Sequence, residues 1–106
     1  VIIALALIFI LAGCAKAPES VAKKFVSAWK SQDMKTMEKL STPESKEMIG
    51  MFSMFKVKDA TLGETKVTGD SATVNVKYTT EDGKQDEFDL NLVKQGSKWL
   101  VEIKGK

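Results

Sequence analysis

The sequence predicts an α+β domain in which N-terminal helices pack on a curved, four-stranded antiparallel meander. Three observations support this fold class. Apolar residues recur at helical spacing as far as Phe55, they alternate with polar residues from Val57 onward, and Gly, Asp and Asn separate the alternating runs. The chain has 106 residues, which leaves room for one domain.

Three helices are predicted before the sheet. The first has Pro18 in its opening turn, where a missing N–H is not needed, and ends near Ser31. Asp33 can cap a second, short helix, and Thr42 begins a third. The apolar stripes of the three helices are, in order, Val21, Phe25, Ala28 and Trp29; Met34, Met37 and Leu40; and Met48, Met51, Phe52 and Phe55.

Each of the four predicted strands has one apolar face. In the first strand Ala60 and Leu62 alternate in one phase and Val67 in the other, so a bulge at Gly63 is expected to restore the phase and bend the strand. The other three strands direct these residues to the same face: Ala72, Val74, Val76 and Tyr78; Phe88, Leu90 and Leu92; and Trp99, Val101 and Ile103.

Parity predicts the register of the middle hairpin. If the apolar faces of its two strands coincide, the loop holds an odd number of residues, and residues 81–83 fit a three-residue turn with Gly83 left-handed. This register places Lys77 opposite Glu87, which is a favourable cross-strand pair.

The same rule predicts that Gln95 and Gly96 close the last hairpin. Leu92 then lies opposite Trp99. The outer face would carry a row of alternating charge across three strands, formed by Lys77, Glu87 and Lys104.

Residues 1–12 form an unbroken apolar run that is typical of an export signal. The run is shorter than the roughly 20 apolar residues of a spanning helix, and small residues follow it. Because the chain begins at Val1 without a basic flank, we expect this signal peptide to be truncated at its start. A membrane-spanning anchor completed by upstream residues is the alternative.

The residues that end the run resemble the lipobox of bacterial lipoproteins. They are Leu11, Ala12, Gly13 and Cys14. The resemblance implies that Cys14 carries a diacylglycerol and becomes the new amino terminus, and two or three acyl chains attach a protein firmly to a membrane.

We therefore expect a signal peptide at 1–13, a lipidated Cys and tether at 14–17, and one domain at 18–106. The protein would be anchored on the exported side of the cell membrane or outer membrane. The alternative is a single buried Cys or a secretory signal in which Cys14 is incidental.

Composition excludes several classes of function. All 16 basic residues are lysine, there is no His, and the formal net charge is +2. A scattered charge of this size argues against a nucleic-acid binder, which needs a concentrated basic surface. Without His, no side chain titrates near neutral pH unless its surroundings shift its pKa strongly.

The run PESVAKKFVSAWKSQD and the later elements GDSATVNVKY, EDGKQDEFDLNLVK and GSKWLVEI resemble the small bacterial lipoproteins of the domain of unknown function 4878 family. This family is grouped with the nuclear transport factor 2-like, or cystatin-like, fold. The resemblance implies a cone-shaped sheet that wraps a helix and often leaves a pocket. It carries no catalytic residue over. The matching positions are Phe25, Trp29, Asp33, Gly69, Asp70, Ala72, Val74, Gly83, Gly96, Lys98 and Trp99.

The function predicted from the sequence is a non-enzymatic binding or interaction module without a cofactor, a metal or catalytic residues. The binding version expects a pocket for a small apolar ligand, and the interaction version expects a homodimer through the outer sheet face around Val93 and Leu100. A small enzyme acting on an apolar molecule is the alternative. The predicted pocket residues are Trp29, Phe52, Val76, Tyr78, Phe88 and Trp99.

Two groups of residues could bind a metal ion, but a structural role is the simpler interpretation of each. Met48, Met51 and Met54 offer soft thioether ligands for Cu(I), but methionine also fills cores and lines pockets. Asp89 and Glu102 are neighbours in the expected register and could share a proton or hold Ca²⁺, although a solvated pair flanked by lysines is the simpler interpretation.

Overall fold

The computed structural model describes the backbone of residues 2–103 and the side chains of residues 17–103. The strands form one antiparallel sheet in chain order, β1-β2-β3-β4. The predicted α+β fold, with helices followed by a four-stranded meander, is confirmed. The elements are α1 (Ile2–Ser31), α2 (Met34–Lys39), a 3₁₀ turn (Pro43–Ser45), α3 (Lys46–Met54), β1 (Val57–Thr68), β2 (Ser71–Thr80), β3 (Gln85–Gln95) and β4 (Lys98–Glu102).

The first helix is longer than predicted. It ends at Ser31 as expected, but Pro18 lies inside α1 and not in its first turn. The apolar run before Pro18 is rich in Ala and Leu, which are strong helix formers. The helix continues through Pro18, although its ring removes one backbone donor and crowds the preceding turn. Asp33 caps α2 as predicted, because its carboxylate accepts a hydrogen bond from the backbone N–H of Thr36.

The predicted signal peptide and lipobox lie outside the residues whose side chains are described. Only the backbone of this segment is described, as part of α1. Within the described part of the chain, no helix combines the length and hydropathy needed to cross a membrane. The division into signal, tether and domain stays a prediction.

The core lies between α1 and the inner face of the sheet. Phe25 is 1% exposed, and Val74 and Val76 of β2 are fully buried beneath it. We call this part of the molecule the closed region, and define it by Phe25, Val74, Val76, Leu92 and Val101, each of which is almost completely buried.

The predicted bulge in β1 is confirmed. Leu62 lies opposite Val76 and Thr65 opposite Val74, so β1 holds one extra residue between these two pairs. A Cβ atom at position 63 would lie 2.6 Å from Oδ1 of Asn75, so any larger residue there requires that side chain to move. The extra residue bends β1 and increases the twist of the sheet.

The middle hairpin has the predicted register. Lys77 lies opposite Glu87, and Gly83 has a φ of 90° in the turn. The N–H of Thr80 donates to the carbonyl of Lys84, which leaves the predicted three residues between them.

The predicted register of the last hairpin is wrong by two residues. Gln95 pairs with Lys98, so that Gly96 and the following residue form the loop, and Trp99 lies opposite Lys94 instead of Leu92. Gly96 has a φ of 64°, which the first central position of a tight type II′ turn requires. A shift of two residues keeps Trp99 on the inner face. The predicted charge row ended at Lys104, which lies outside the described residues.

The buried face of α3 also differs from the prediction. Ile49 is its fully buried residue, whereas Met51 is 58% exposed and Phe55 is 48% exposed. Phe52 packs against the core, because its ring meets the ring of Phe25 edge to face at 5.4 Å. Met51 and Phe55 therefore lie at the margin of the helix contact and reach solvent.

Short polar side chains fix the segment between α2 and α3 to the end of β4. The backbone N–H of Thr42 donates to the carbonyl of Val101 at 2.9 Å. The buried hydroxyl of Ser45 accepts a hydrogen bond from the N–H of Ile103 at 2.8 Å and is bonded to the hydroxyl of Thr42 at 2.6 Å. The helical layer is thereby held against one end of the sheet.

Candidate functional site: an aromatic groove

An apolar groove of about 230 Å³ opens where the last turn of α1 and the end of α3 meet β2 and β3. Met51, Phe52 and Phe55 come from α3 and the residue after it, and Tyr78 and Phe88 come from β2 and β3. The almost completely buried Trp29 of α1 lies beneath them. We call it the aromatic groove and define it by its lining residues, which are Trp29, Met51, Phe52, Phe55, Tyr78 and Phe88.

Hydrogen bonds hold the two helix ends that form the groove. The indole Nε1–H of Trp29 donates to the carbonyl of Phe55 at 2.9 Å. Gln32, which has a φ of 60° directly after α1, donates its side-chain amide to the carbonyls of Trp29 and Phe52. The polar group of Trp29 is therefore satisfied within the protein, and its ring is left to the apolar lining.

The rings of the groove are inclined to one another. The ring centroids of Trp29 and Tyr78 are 5.6 Å apart, those of Phe55 and Tyr78 5.7 Å, and those of Trp29 and Phe55 6.4 Å. The interplanar angles of these pairs are 61°, 84° and 45°. These rings therefore contact one another edge to face or at a tilt, and none of them stacks on another.

The hydroxyl of Tyr78 is the titratable group of the lining. Burial raises its pKa above the ordinary value of 10.0, and the negative charge of Asp86 raises it further. Asp86 lies opposite Tyr78 in the β2–β3 ladder. Among the residues that the structure describes, the hydroxyl has no hydrogen-bond partner, so it is available to a bound molecule.

The lysine next to the groove is paired. Lys30 follows Trp29 on α1, and its Nζ lies 3.3 Å from Oδ1 of Asp59 on β1. The pKa of Asp59 is lowered by the hydrogen bond from Lys30 and then by the N–H of Ala60. The positive charge of Lys30 is therefore directed to β1.

Four of the six residues predicted to line a pocket do line the groove, namely Trp29, Phe52, Tyr78 and Phe88. The other two do not reach it. Val76 is fully buried in the closed region. Trp99 lies opposite Lys94, six residues along β3 from Phe88 and so about 20 Å away, since a strand rises about 3.4 Å per residue.

The sequence did not place Met51 and Phe55 in the pocket. Both had been assigned to the buried stripe of the third helix, because their spacing from Phe52 fits one helical face. Phe55 comes one residue after the end of α3, where helical periodicity no longer fixes its direction. Phe55 directly precedes Lys56 and the first strand, and this position could have indicated that it lies outside the helix.

The structure separates the residues of both metal hypotheses. Met48 is half-buried whereas Met54 is 87% exposed and outside the groove. The expected contact of Asp89 with Glu102 is wrong, because Glu102 lies opposite Asn91 in the corrected register. No group of three or more His, Cys, Asp or Glu side chains that could hold a metal ion occurs in the described part of the chain.

Val93 and Leu100, which were predicted to form a dimer face, lie directly opposite each other on β3 and β4. Both are half-buried. Their side chains are therefore partly covered by the neighbouring strands and their own pairing.

Comparisons with known proteins identify the fold and a family. The model of the domain of unknown function DUF4878 matches residues 9–102. A nuclear transport factor 2-like protein of unknown function from Silicibacter pomeroyi has a similar structure, with a TM-score of 0.65 and 15% identity over 85% of this chain and 91% of that chain.

A second similar structure is a Campylobacter jejuni protein described as a candidate nuclear transport factor 2-like transpeptidase. It has a TM-score of 0.60 and 24% identity over 82% of this chain and 98% of that chain. A DUF4783 family protein from Bacteroides ovatus has a TM-score of 0.60 and 14% identity over 74% of this chain and 86% of that chain. No functionally curated protein matches the sequence.

Proposed function

The chain belongs to the DUF4878 family and has a nuclear transport factor 2-like fold, and on this premise we propose that it is a non-enzymatic module that binds a small, mainly apolar molecule in the aromatic groove. The observation that carries the proposal is the groove itself, where five aromatic rings and one thioether meet around about 230 Å³ of open space.

The chemistry of the lining supports binding over catalysis. The lining carries one hydroxyl, that of Tyr78, and its raised pKa keeps it neutral at physiological pH. General acid–base catalysis needs groups whose pKa lies near the operating pH. A neutral hydroxyl beside apolar walls is instead suited to orient a ligand by one hydrogen bond.

The exposed rim also favours a bound partner. Phe55 is 48% exposed and Met51 58% exposed, although both are large and apolar. A ligand seated between them would remove this apolar surface from water, and each buried apolar side chain contributes about 1.5 to 3 kcal/mol when it is fully covered.

The two tryptophans provide a direct test. The full chain, labelled with ¹⁵N-tryptophan and held in lipid nanodiscs, is titrated with 2-phenylethanol, and empty nanodiscs serve as the blank. We expect the indole resonance of Trp29 to shift with saturation, while that of Trp99, at the other end of the sheet, stays in place.

Phe55 and Met54 provide a matched pair of variants. Phe55→Gln should weaken binding about tenfold, because the ligand loses one apolar wall. Met54→Gln should bind as the unchanged chain does, since Met54 is more exposed than Phe55 and does not line the groove. Shifts of both indoles together, or equal losses in both variants, would contradict a ligand in the groove.

The second part of the proposal is attachment to the exported side of a bacterial membrane through lipid on Cys14. Cys14 is the single Cys and ends the lipobox-like sequence. It precedes Trp29 by 15 positions on α1, so an anchor there would lie about 22 Å along the helix from the groove. The groove would then stay open to the aqueous phase.

Labelled palmitate tests the anchor. The full chain expressed in a bacterial host should incorporate the label, and Cys14→Ser should abolish incorporation. Label that persists in Cys14→Ser would show that the acyl group is elsewhere and would contradict the assignment.

A further inference from the structure

We infer that the ligand of the aromatic groove is an organic cation with an apolar body, such as an alkyl- or arylammonium ion. This inference rests on the proposed function, since it names the chemical class that the same groove selects. Two independent observations carry it, namely the arrangement of the rings and the sign of the charge beside them.

The rings of Trp29, Phe55 and Tyr78 lie close enough together for one bound cation to be near all three. Their centroids form a triangle with sides of 5.6, 5.7 and 6.4 Å. A group seated over this triangle at van der Waals distance lies within about 6 Å of all three centroids, which is the range of a cation–π contact. Inclined aromatic rings are also the arrangement with which proteins recognise quaternary ammonium groups.

The charge beside the groove is negative. Asp86 lies opposite Tyr78, and its charge reaches the Tyr78 hydroxyl strongly enough to raise the pKa of that group. Asp86 is exposed, and its carboxylate accepts a hydrogen bond from the N–H of Glu87 at 2.8 Å. It does not line the groove itself, but it is the cross-strand neighbour of Tyr78, which does.

Lysine does not offset this charge at the groove. The chain has 16 lysines, yet no lysine lines the aromatic groove or contributes to the shift of Tyr78 among the described residues. Lys30, which is adjacent to Trp29 in sequence, is paired with Asp59. Lys77 shares a separate surface depression with Asp86 and Tyr78, but it lies opposite Glu87 in the ladder. The charge of Asp86 would repel an anion, and a neutral ligand would gain nothing from it.

The lining also explains why an apolar body is needed. Met51, Phe52 and Phe88 complete the walls and offer hydrocarbon and a thioether. A volume of about 230 Å³ is large enough for one aromatic ring together with a substituted ammonium group, and is small for a folded segment of another protein.

Three probes of nearly equal shape separate the charge classes. They are benzyltrimethylammonium, its neutral carbon isostere neopentylbenzene, and the anion phenylmethanesulfonate. Each is titrated against the full chain in nanodiscs with the Trp29 indole resonance as readout and empty nanodiscs as blank. We expect the cation to bind about five- to tenfold more tightly than the isostere, and the anion more weakly than either.

Asp86→Asn and Asp89→Asn form a matched pair on β3. Both remove one negative charge, but Asp86 lies beside Tyr78 on the groove side, whereas Asp89 is on the outer face, where it accepts a hydrogen bond from Asn75. The preference for the cation over its isostere should fall about threefold in Asp86→Asn and stay unchanged in Asp89→Asn.

The outcomes distinguish this inference from the proposed function. If the cation and the isostere bind the groove equally, the groove is a general apolar site and the cation inference is wrong while the proposed function stands. If no probe moves the Trp29 resonance, both are wrong. If the two Asp variants lose the preference equally, the preference comes from overall charge and Asp86 is not its source.

Discussion

The closed region and the aromatic groove are built on the same two strands but have opposite solvent exposure. Along β2, Val74 and Val76 are fully buried, whereas Tyr78, two residues further, is half-buried at the groove. Along β3, Leu92 is buried and Phe88 is half-buried. One continuous inner stripe therefore passes from a dry core to an open site within a few residues.

The difference comes from what covers the sheet. Over the closed region, α1 lies across the strands and the segment of Thr42 and Ser45 is hydrogen-bonded to the end of β4. Over the groove, the last turn of α1 and the end of α3 provide the cover. The inward side chains of the sheet change there from aliphatic to aromatic, as from Val76 to Tyr78 along β2.

The largest expected contrast is between two phenylalanines. Phe25→Ala should lower the free energy of unfolding by about 3 to 5 kcal/mol, because it leaves a cavity beneath α1. Phe55→Ala should cost about 1 kcal/mol, since nearly half of its ring is already in water. Urea unfolding of the full chain measures both values, and equal losses would mean that the groove contributes to the core as much as the closed region does.

Two serines give the next contrast. Ser45→Ala should cost about 2 kcal/mol, because the buried N–H of Ile103 and the hydroxyl of Thr42 lose their partner. Ser53→Ala on α3 should change the free energy of unfolding by less than about 0.5 kcal/mol, since its hydroxyl only bonds back to the carbonyl of Gly50. The same denaturation measurement compares them, and a neutral Ser45→Ala would show that the bonds to β4 do not hold the helical layer.

Two glycines give a smaller contrast, of opposite sign. Gly63→Ala should destabilise the chain by about 1 kcal/mol, because the new Cβ meets the side chain of Asn75. Gly50→Ala in α3 should stabilise it by about 0.5 to 1 kcal/mol, since no atom lies within 4 Å of the new Cβ and alanine favours the helix. Thermal unfolding measures both.

Asn75→Ala identifies the source of the Gly63 effect. In the double variant Gly63→Ala with Asn75→Ala, the nearest clashing atom, Oδ1 of Asn75, is gone. The two changes together should therefore cost less than the sum of the single changes. Strict additivity would mean that the cost arises in the backbone of the bulge and not from the contact.

The fold was predictable from the sequence because local patterns determine it. Alternation located the strands, phase change located the bulge at Gly63, and parity fixed Lys77 opposite Glu87. The last hairpin failed because parity permits shifts of two residues. The observed register is the one that places Gly96, with its positive φ, at the first turn position. The backbone dihedral angle of a glycine cannot be read from the sequence.

The groove was predictable only in part. The stripe positions of Trp29, Tyr78 and Phe88 follow from periodicity, so these residues were found. Whether an inward-facing residue is buried depends on where the helices packed over it end. The periodicity of the strand or helix that carries the residue does not show this. Val76 was therefore assigned to the pocket although it lies in the core, and Phe55 was assigned to the core although it lines the groove.

The smallest effect concerns the charge at the open end. Tyr78 is the single tyrosine, so absorbance at alkaline pH follows its ionisation alone. Its pKa should lie above 10.0, chiefly because of burial and secondarily because of Asp86. Asp86→Asn should therefore lower the pKa of Tyr78 only in part. A folded pKa above the unfolded one means that the folded chain keeps a proton that the unfolded chain loses. The contribution of Tyr78 to stability is therefore constant below about pH 10 and is lost as pH rises through the folded pKa. If Tyr78 titrates at its ordinary pKa, water enters the groove freely. The groove would then differ from the closed region only in being more exposed, and it would not be an apolar binding site.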